Sequence, residues 1–154
     1  MAATMTHPAL SRFLSHRGRF AVLAVVLFAG TAMLSRSRPV PLGWGTDIEE
    51  ALSQSAADHK PVLIGFYMDG CTWCEAMDEQ VLSDPRVRAA LSDFIPVHLS
   101  VERHREWANR FDVLGTPTYV VLDPDGRLVR RCEGYQTVSD FTAFLASAQS
   151  ASDR

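Results

Sequence analysis

Two cysteines separated by two residues are the clearest candidates for chemistry in this sequence. They lie in FYMDGCTWCEAMDEQ, Phe66–Gln80, as Cys71 and Cys74, while the third cysteine, Cys132, is far away along the chain. Such a pair could be a redox couple, half of a metal site, or two buried thiols that happen to be close. The elements around the pair help to decide between these possibilities.

The cysteine pair is placed between an apolar run and a helical pattern. The run VLIGFY, Val62–Tyr67, has the length and composition of a strand buried on both faces. Cys71 then opens a predicted helix, where unsatisfied N–H groups and the helix dipole favour an anion. We expect this position to lower the pKa of Cys71 below the usual value of ~8.5. Cys74, about one turn later and more shielded, is the natural resolving thiol.

A second motif, Gly115-Thr116-Pro117-Thr118, directly precedes an apolar strand pattern. Proline is excluded from central strands, but a cis X-Pro bond is permitted in a turn. Such a turn would leave the backbone of Thr116 able to hydrogen-bond an extended substrate beside the cysteines.

The remaining patterns predict an α/β domain in which a small mixed sheet has helices on both faces. Asp47 is the expected cap of the first helix, and Pro61 is its expected end. Strands separated by helices predict parallel crossovers, and the final pair of strands predicts a hairpin that adds antiparallel edge strands. In chain order the predicted elements are helix IEEALSQSAADH, strand VLIGFY, the helix that opens at Cys71, short helix Arg86–Leu91, strand FIPVHLSV, short helix HREWANRF, strands TYVVLD and RLVRRCE, and helix VSDFTAFLASA.

The charge distribution divides the 154-residue chain into two parts. Residues 1–38 contain five arginines and no acidic residue, whereas residues 39–154 contain ten basic and eighteen acidic residues. An acidic body without a basic patch argues against nucleic acid as a partner, because nothing would neutralise phosphates. We expect a monomer that binds no cofactor.

The basic part has the pattern of an export segment. Arginines bracket FAVLAVVLFAGTAML, Phe20–Leu34, which contains no charge or proline. At ~1.5 Å per residue this run spans roughly 22 Å, which suits a signal-peptide core or a short anchor. We therefore predict an export signal or membrane anchor at 1–38, a linker at 39–46 and a folded domain at 47–150. The domain is expected in the periplasm, either tethered to the inner membrane or cleaved and soluble.

The two motifs together resemble the thioredoxin superfamily. VLIGFYMDGCTWCEAMDEQVLSDPRV followed by FDVLGTPTYVVLDPDGRL is most similar to the periplasmic C-terminal, thioredoxin-like domain of DsbD-type thiol:disulfide interchange proteins. The resemblance implies a thioredoxin-like fold, Cys71 as nucleophile, Cys74 as resolving thiol and Pro117 in cis. It further implies exchange with protein thiols and disulfides, more in the direction of reduction, with a membrane electron donor and exported clients as partners.

The sequence departs from the family pattern at two positions. Thioredoxins usually have a buried acidic residue where this chain has Gly65, and often a lysine where it has His98. The DsbD-type domains have a carboxylate four residues after the second cysteine, which here is Asp78. We expect Asp78, together with His98, to handle the proton of Cys74. The alternative is a surface aspartate and a strand histidine that only satisfies a neighbour.

Other interpretations of the pair are a metal site or a binding module without turnover. Zinc needs four ligands, and no second cysteine or histidine pair is present at similar spacing. Copper(I) is the stronger alternative, because Met68 and Met77 flank the pair, although both methionines also fit as packing residues. Trp73 is expected to be partly exposed and to offer an apolar contact to a partner. Cys132 is expected to be a half-buried thiol in an edge strand.

Overall fold

The computed structural model describes Pro41 and residues 43–152, and the predicted export segment lies outside this range. Within the described residues, no helix combines the length and apolarity needed to span a membrane. The elements in chain order are α1 (Ile48–Asp58), β1 (Val62–Tyr67), α2 (Thr72–Ala76) continuing into a π-helix (Met77–Leu82), α3 (Pro85–Ala90) followed by a 3-10 turn (Leu91–Asp93), β2 (Ile95–Ser100), α4 (Arg105–Arg110), β3 (Thr118–Leu122), β4 (Leu128–Glu133) and α5 (Val138–Ser152).

The four strands form one mixed sheet in the order β2-β1-β3-β4. β1 and β2 run parallel, as expected for strands joined by a helical crossover, and β3 runs antiparallel to both β1 and β4. Only β4 of the predicted hairpin is an edge strand, because β3 lies between β1 and β4. The burial pattern gives the reason: all of β3 is buried, whereas β4 is half-buried to exposed along its length.

The sheet has an apolar core on each face. On one face, Leu63 and Val121 pack with Phe141 and Leu145 of α5. On the other face, strand residues pack against α1 and α4, and the members of this cluster include Ile48, Ile64, Val97, Val120 and Phe111. Since successive strand side chains point to opposite faces, a strand covered on both sides must be apolar throughout. This explains the continuous apolar runs of β1 and β3.

The first helix begins as predicted but ends at Asp58, three residues before Pro61. The Oδ1 atom of Asp47 accepts a hydrogen bond from the backbone N–H of Glu50 at 3.0 Å, which caps α1. The helix ends at Asp58 because His59 takes the left-handed conformation, with φ of 53°. Helices commonly end with a residue in this conformation.

Trp44 and Gly45, which fall in the predicted linker, contact the sheet directly. The backbone N–H of Gly45 donates to the carbonyl of Pro96 at 2.8 Å, and the N–H of His98 donates to the carbonyl of Gly45 at 2.9 Å. Gly45 thus forms an isolated parallel bridge with Val97, next to the outer side of β2. The side chain of Trp44 is buried in the core.

Candidate functional site

Cys71 and Cys74 are joined by a disulfide, with their Cα atoms 5.3 Å apart. Cys71 is the N-cap residue of α2, and Cys74 lies inside the helix. The two residues differ in accessibility, since 8% of Cys71 and 1% of Cys74 is exposed. The strand, the cysteine pair and the helix therefore follow one another as predicted, and Cys71 is the more accessible cysteine.

Two hydrogen-bond donors that suit a negative charge lie next to the sulfur of Cys71. The backbone N–H of Cys74 donates to it at 3.2 Å, and the hydroxyl of Thr116 donates at 3.4 Å. The carbonyl oxygen of Thr116 lies 3.6 Å from the same sulfur. Hydrogen bonds to the charged form of a group favour that form, so this site can support a thiolate on the reduced protein.

The turn that contains Thr116 is built as the resemblance implied. The peptide bond between Thr116 and Pro117 is cis, and Pro117 is buried. The hydroxyl of Thr118 donates to the carbonyl of Gly115 at 2.7 Å and closes the turn. Since β3 starts at Thr118 and pairs antiparallel with the end of β1, the turn lies beside the cysteines.

Tyr67 is a site residue that the motif analysis missed. It is the last residue of β1, it is buried, and it packs against both Cys71 and Cys74. Its ring stacks on that of His98 with centroids 4.2 Å apart, and its hydroxyl accepts a hydrogen bond from Arg103 at 2.5 Å. The ring of His98 thus stacks on Tyr67, which in turn packs against the cysteine pair. The position of Tyr67 at the end of the strand leading to the pair was the signal that could have identified it.

Gly65, the position of the usual acidic residue, lies in an aromatic row across the sheet. Its cross-strand neighbours are His98 on β2 and Tyr119 on β3. A Cβ at this position would approach Trp44 Cζ3 to 3.0 Å, Tyr119 Cε1 to 3.1 Å and His98 Cδ2 to 3.2 Å. The absence of a side chain at Gly65 therefore permits close packing of these three rings.

Asp78 lies four residues beyond Cys74, in the π-helical part of the active-site helix. The sequence predicted one continuous helical pattern, but the structure changes from α-helix to π-helix at Met77. π-Helical turns are rare and often occur at functional sites. The side chain of Asp78 is half-buried on this turn.

The two methionines that flank the cysteines differ in their surroundings. Met77 is fully buried in the core, and its Sδ accepts a hydrogen bond from the backbone N–H of Gln136 at 3.3 Å. Met68 lies just beyond the end of β1 and is exposed. Packing in the core accounts for Met77. Among Pro41 and residues 43–152, no three His, Cys, Asp or Glu side chains come together as candidate metal ligands.

Cys132 is a free thiol on β4, the edge strand, and is half-buried as expected. It pairs with Tyr119 across the sheet. Burial raises the pKa of Cys132 to about 12, and a hydrogen bond with the backbone of Tyr119 offsets this rise only in part. Its environment therefore opposes ionisation, whereas that of Cys71 supplies two donors to the sulfur.

Comparison with known proteins gives the class to which this site belongs. Residues 48–149 match the family described as the thioredoxin-like domain. The chain belongs to this family, and its mixed four-stranded sheet with helices is the thioredoxin-like fold. The CxxC pair on this fold supports thiol–disulfide oxidoreductase chemistry.

Particular relatives are thiol:disulfide interchange proteins. The chain is 31% identical over 108 residues to DsbD of Ralstonia nicotianae, a match that covers 67% of this chain and 18% of the relative. It is 31% identical over 132 residues to DsbD 2 of Pseudomonas aeruginosa, which covers 82% of this chain and 21% of the relative. The chain thus spans about a fifth of the length of these curated relatives.

Solved structures show the same fold. A thioredoxin from Thermus thermophilus is 33% identical with a TM-score of 0.62, and the match covers 70% of this chain and 86% of that one. The oxidised C-terminal domain of DsbD from Neisseria meningitidis is 22% identical with a TM-score of 0.59, and the match covers 68% of this chain and 98% of that one.

We predict that Gly65→Ala lowers the free energy of unfolding by about 1–3 kcal/mol, because the added methyl overpacks the aromatic row. Chemical denaturation of the oxidised protein measures this loss. Gly115→Ala is the matched control, since a Cβ at Gly115 meets nothing within 4 Å. A smaller loss in a Trp44→Phe background would show that the indole causes the strain. Equal losses for the two glycine variants would contradict the packing described here.

We predict that Cys132 is alkylated more slowly than Cys71 in the reduced, folded protein. With a pKa of about 12, the Cys132 side chain is a thiolate in only about one protein molecule in ten thousand at pH 8. Iodoacetamide labelling at pH 8, followed by mass spectrometry of peptides, measures the order of reaction. Guanidinium-unfolded protein is the control and should label all three cysteines at similar rates. Labelling of Cys132 as fast as that of Cys71 in the folded state would contradict the raised pKa of Cys132.

Proposed function

We propose that this protein is an exported thiol:disulfide oxidoreductase that reduces disulfides in other proteins. One observation carries the proposal: the Cys71–Cys74 disulfide begins a helix, and the Cys71 sulfur lies against Thr116 of the cis-proline turn. This arrangement presents one sulfur to a partner and keeps the second one turn behind it. The names of the DsbD relatives, thiol:disulfide interchange proteins, support the same chemistry.

The reaction that we propose proceeds through a mixed disulfide. The Cys71 thiolate attacks one sulfur of a substrate disulfide, a bond forms between them, and the other substrate sulfur leaves as a thiolate. Cys74 then loses its proton and attacks the Cys71 sulfur, which expels the second substrate sulfur. The substrate gains two electrons and two protons, and the protein is left with the Cys71–Cys74 disulfide. A second protein dithiol must return two electrons before the next cycle.

The substrate segment would lie along the turn before β3. Thr116 is half-buried at the site surface, and its carbonyl and hydroxyl both approach the Cys71 sulfur. An extended peptide can add to exposed backbone groups at such a position. Trp73, which lies between the cysteines and is 62% exposed, would contact the same segment.

The location outside the cytoplasm is proposed from the sequence. Arginines at 12, 17 and 19 precede the apolar run Phe20–Leu34, and arginines at 36 and 38 follow it. By the positive-inside rule, the arginines before the run would stay in the cytoplasm and the following domain would lie in the periplasm, whether the segment is cleaved or kept as an anchor. A membrane protein dithiol would then be a suitable electron donor, and exported proteins would be the clients.

Asp78 and His98 are proposed to assist proton transfer from Cys74. Because only 1% of Cys74 is exposed, its proton has little direct access to bulk water. Asp78 lies four residues further along the same helix, and His98 stacks on Tyr67, which packs against the pair. A carboxylate and an imidazole are the usual groups for accepting a proton near neutral pH.

We predict that Cys71→Ser lowers the rate of insulin reduction by ~100-fold or more, because serine cannot form the mixed disulfide. Cys74→Ser should instead accumulate a mixed disulfide between Cys71 and the substrate, visible on non-reducing gels and by intact mass. Cys132→Ser is the control and should retain the wild-type rate. Wild-type turnover no faster than that of a Cys71→Ser/Cys74→Ser variant would refute the proposed activity.

We predict that Asp78→Asn moves the pH midpoint of Cys74 alkylation downward, by about half a unit or more. The direction follows because a nearby negative charge disfavours a thiolate, and asparagine removes that charge. The measurement uses Cys71→Ser/Cys132→Ser protein, so that only Cys74 reacts. Glu79→Gln, an exposed neighbour on the same turn, is the matched control and should leave the midpoint in place. An unchanged profile in Asp78→Asn would remove Asp78 from the proposed proton path.

A further inference from the structure

Tyr135 forms an exposed aromatic pair with Trp73 at the mouth of the site. Their ring centroids are 5.7 Å apart, with the planes tilted by 52°. Trp73 lies between the two cysteines, whereas Tyr135 lies 64 residues after Cys71 in the loop that joins β4 to α5. Two distant parts of the chain therefore bring aromatic rings together beside the disulfide.

The loop that carries Tyr135 is attached to the site on both sides of that residue. The backbone N–H of Gly134 donates to the carbonyl of Pro117 at 2.8 Å. The backbone N–H of Gln136 donates to the Sδ of Met77 at 3.3 Å. The hydroxyl of Tyr135 itself donates to the Oε1 of Gln80 at 3.3 Å. Tyr135 is thus held between the cis-proline turn and the active-site helix.

Most of the large exposed hydrophobic side chains among the described residues belong to the segments that form the site. Of five large exposed hydrophobic side chains, four belong to segments that border the disulfide. These are Met68, Trp73, Leu114 and Tyr135. The fifth, Leu128, lies at the far end of β4. An apolar patch that borders a reactive group is a common feature of an interaction site.

We propose that Tyr135 is a specificity-determining residue for the thiol–disulfide exchange. Tyr135 and Trp73 together receive a bulky apolar side chain that flanks the reacting cysteine of the protein substrate. The proposal rests on the proposed function, because the pair adjoins the turn along which the substrate segment would lie. Aromatic side chains suit this role, since they offer a large rigid surface and keep a polar edge for a hydrogen bond.

The charge of the site agrees with an apolar rather than an acidic neighbour. The segment Phe66–Gln80 contains four acidic residues and no basic residue. Asp69 and Glu75, which flank the cysteines, are exposed. An acidic residue beside the substrate cysteine would meet like charges, whereas a leucine or phenylalanine would meet the aromatic rings.

The test uses two short peptides that differ only in the residue before a single cysteine, leucine in one and serine in the other. Each cysteine carries 5-thio-2-nitrobenzoate as a mixed disulfide. When the Cys71 thiolate attacks the peptide sulfur, a disulfide forms between them and the coloured aromatic thiolate leaves. The full chain, reduced and kept in a mild detergent, is mixed with each peptide, and the second-order rate constant is measured.

We expect Tyr135→Ala to lower the rate constant for the leucine peptide about three- to tenfold, which corresponds to the usual strength of one aromatic contact. The serine peptide should change less than about twofold. Tyr135→Phe should keep most of the preference, since it retains the ring. Leu128→Ala removes another exposed hydrophobic side chain, from the far end of β4, and should change neither rate.

The outcomes separate this proposal from the proposed function. An equal loss on both peptides, or no loss on either, would overturn the role of Tyr135 while the wild-type reaction itself remained. A wild-type rate no higher than that of Cys71→Ser would instead overturn the proposed function. A changed reduction potential in Tyr135→Ala would assign the residue to the dithiol chemistry and not to substrate choice.

Discussion

The hydrogen-bond register of β3 is the constraint on which the rest of the structure depends. Its pairing with β1 sets Phe66 opposite Thr118, so that the last residues of β1 and the first residues of β3 lie at the same end of the strands. Its pairing with β4 sets Thr118 opposite Glu133, so that the loop after β4 begins at this same end of the sheet. The CxxC turn, the cis-proline turn and the loop of Tyr135 are therefore close together in space, although they are far apart in the sequence.

Much of this arrangement could be predicted from the sequence, because local patterns determine it. The apolar run of β1, the Cys71–Cys74 spacing and the turn at Pro117 all have signals within a few residues. The partners of a strand carry no such signal, and this is why β3 was expected at an edge. Tyr135 was missed for the same reason: its position beside Trp73 follows from strand register and not from any motif around it.

The change from α-helix to π-helix after Ala76 shows a second limit of sequence patterns. Met77, Val81 and Leu82 are all buried, which satisfies an α-helical spacing as well as the wider π-helical turn.

The row of rings across Gly65 shows a third limit. A glycine in a strand could be read as a mere loss of the usual acidic residue, yet the space is filled by Trp44, from a segment that resembled a linker. Whatever accepts the proton of Cys74 must therefore act from a position other than that one.

The bridge between Gly45 and β2 also affects how the protein behaves beside other copies of itself. An uncovered edge strand exposes a row of backbone donors and acceptors that can recruit a strand from another molecule and start aggregation. On the outer side of β2, the backbone of Gly45 forms hydrogen bonds with the carbonyl of Pro96 and the N–H of His98. The opposite side is β4, where Arg130, Arg131 and Glu133 place charges along the margin. The chain's own backbone thus covers part of one edge strand and charged side chains line the other, and both features disfavour the addition of strands from other molecules.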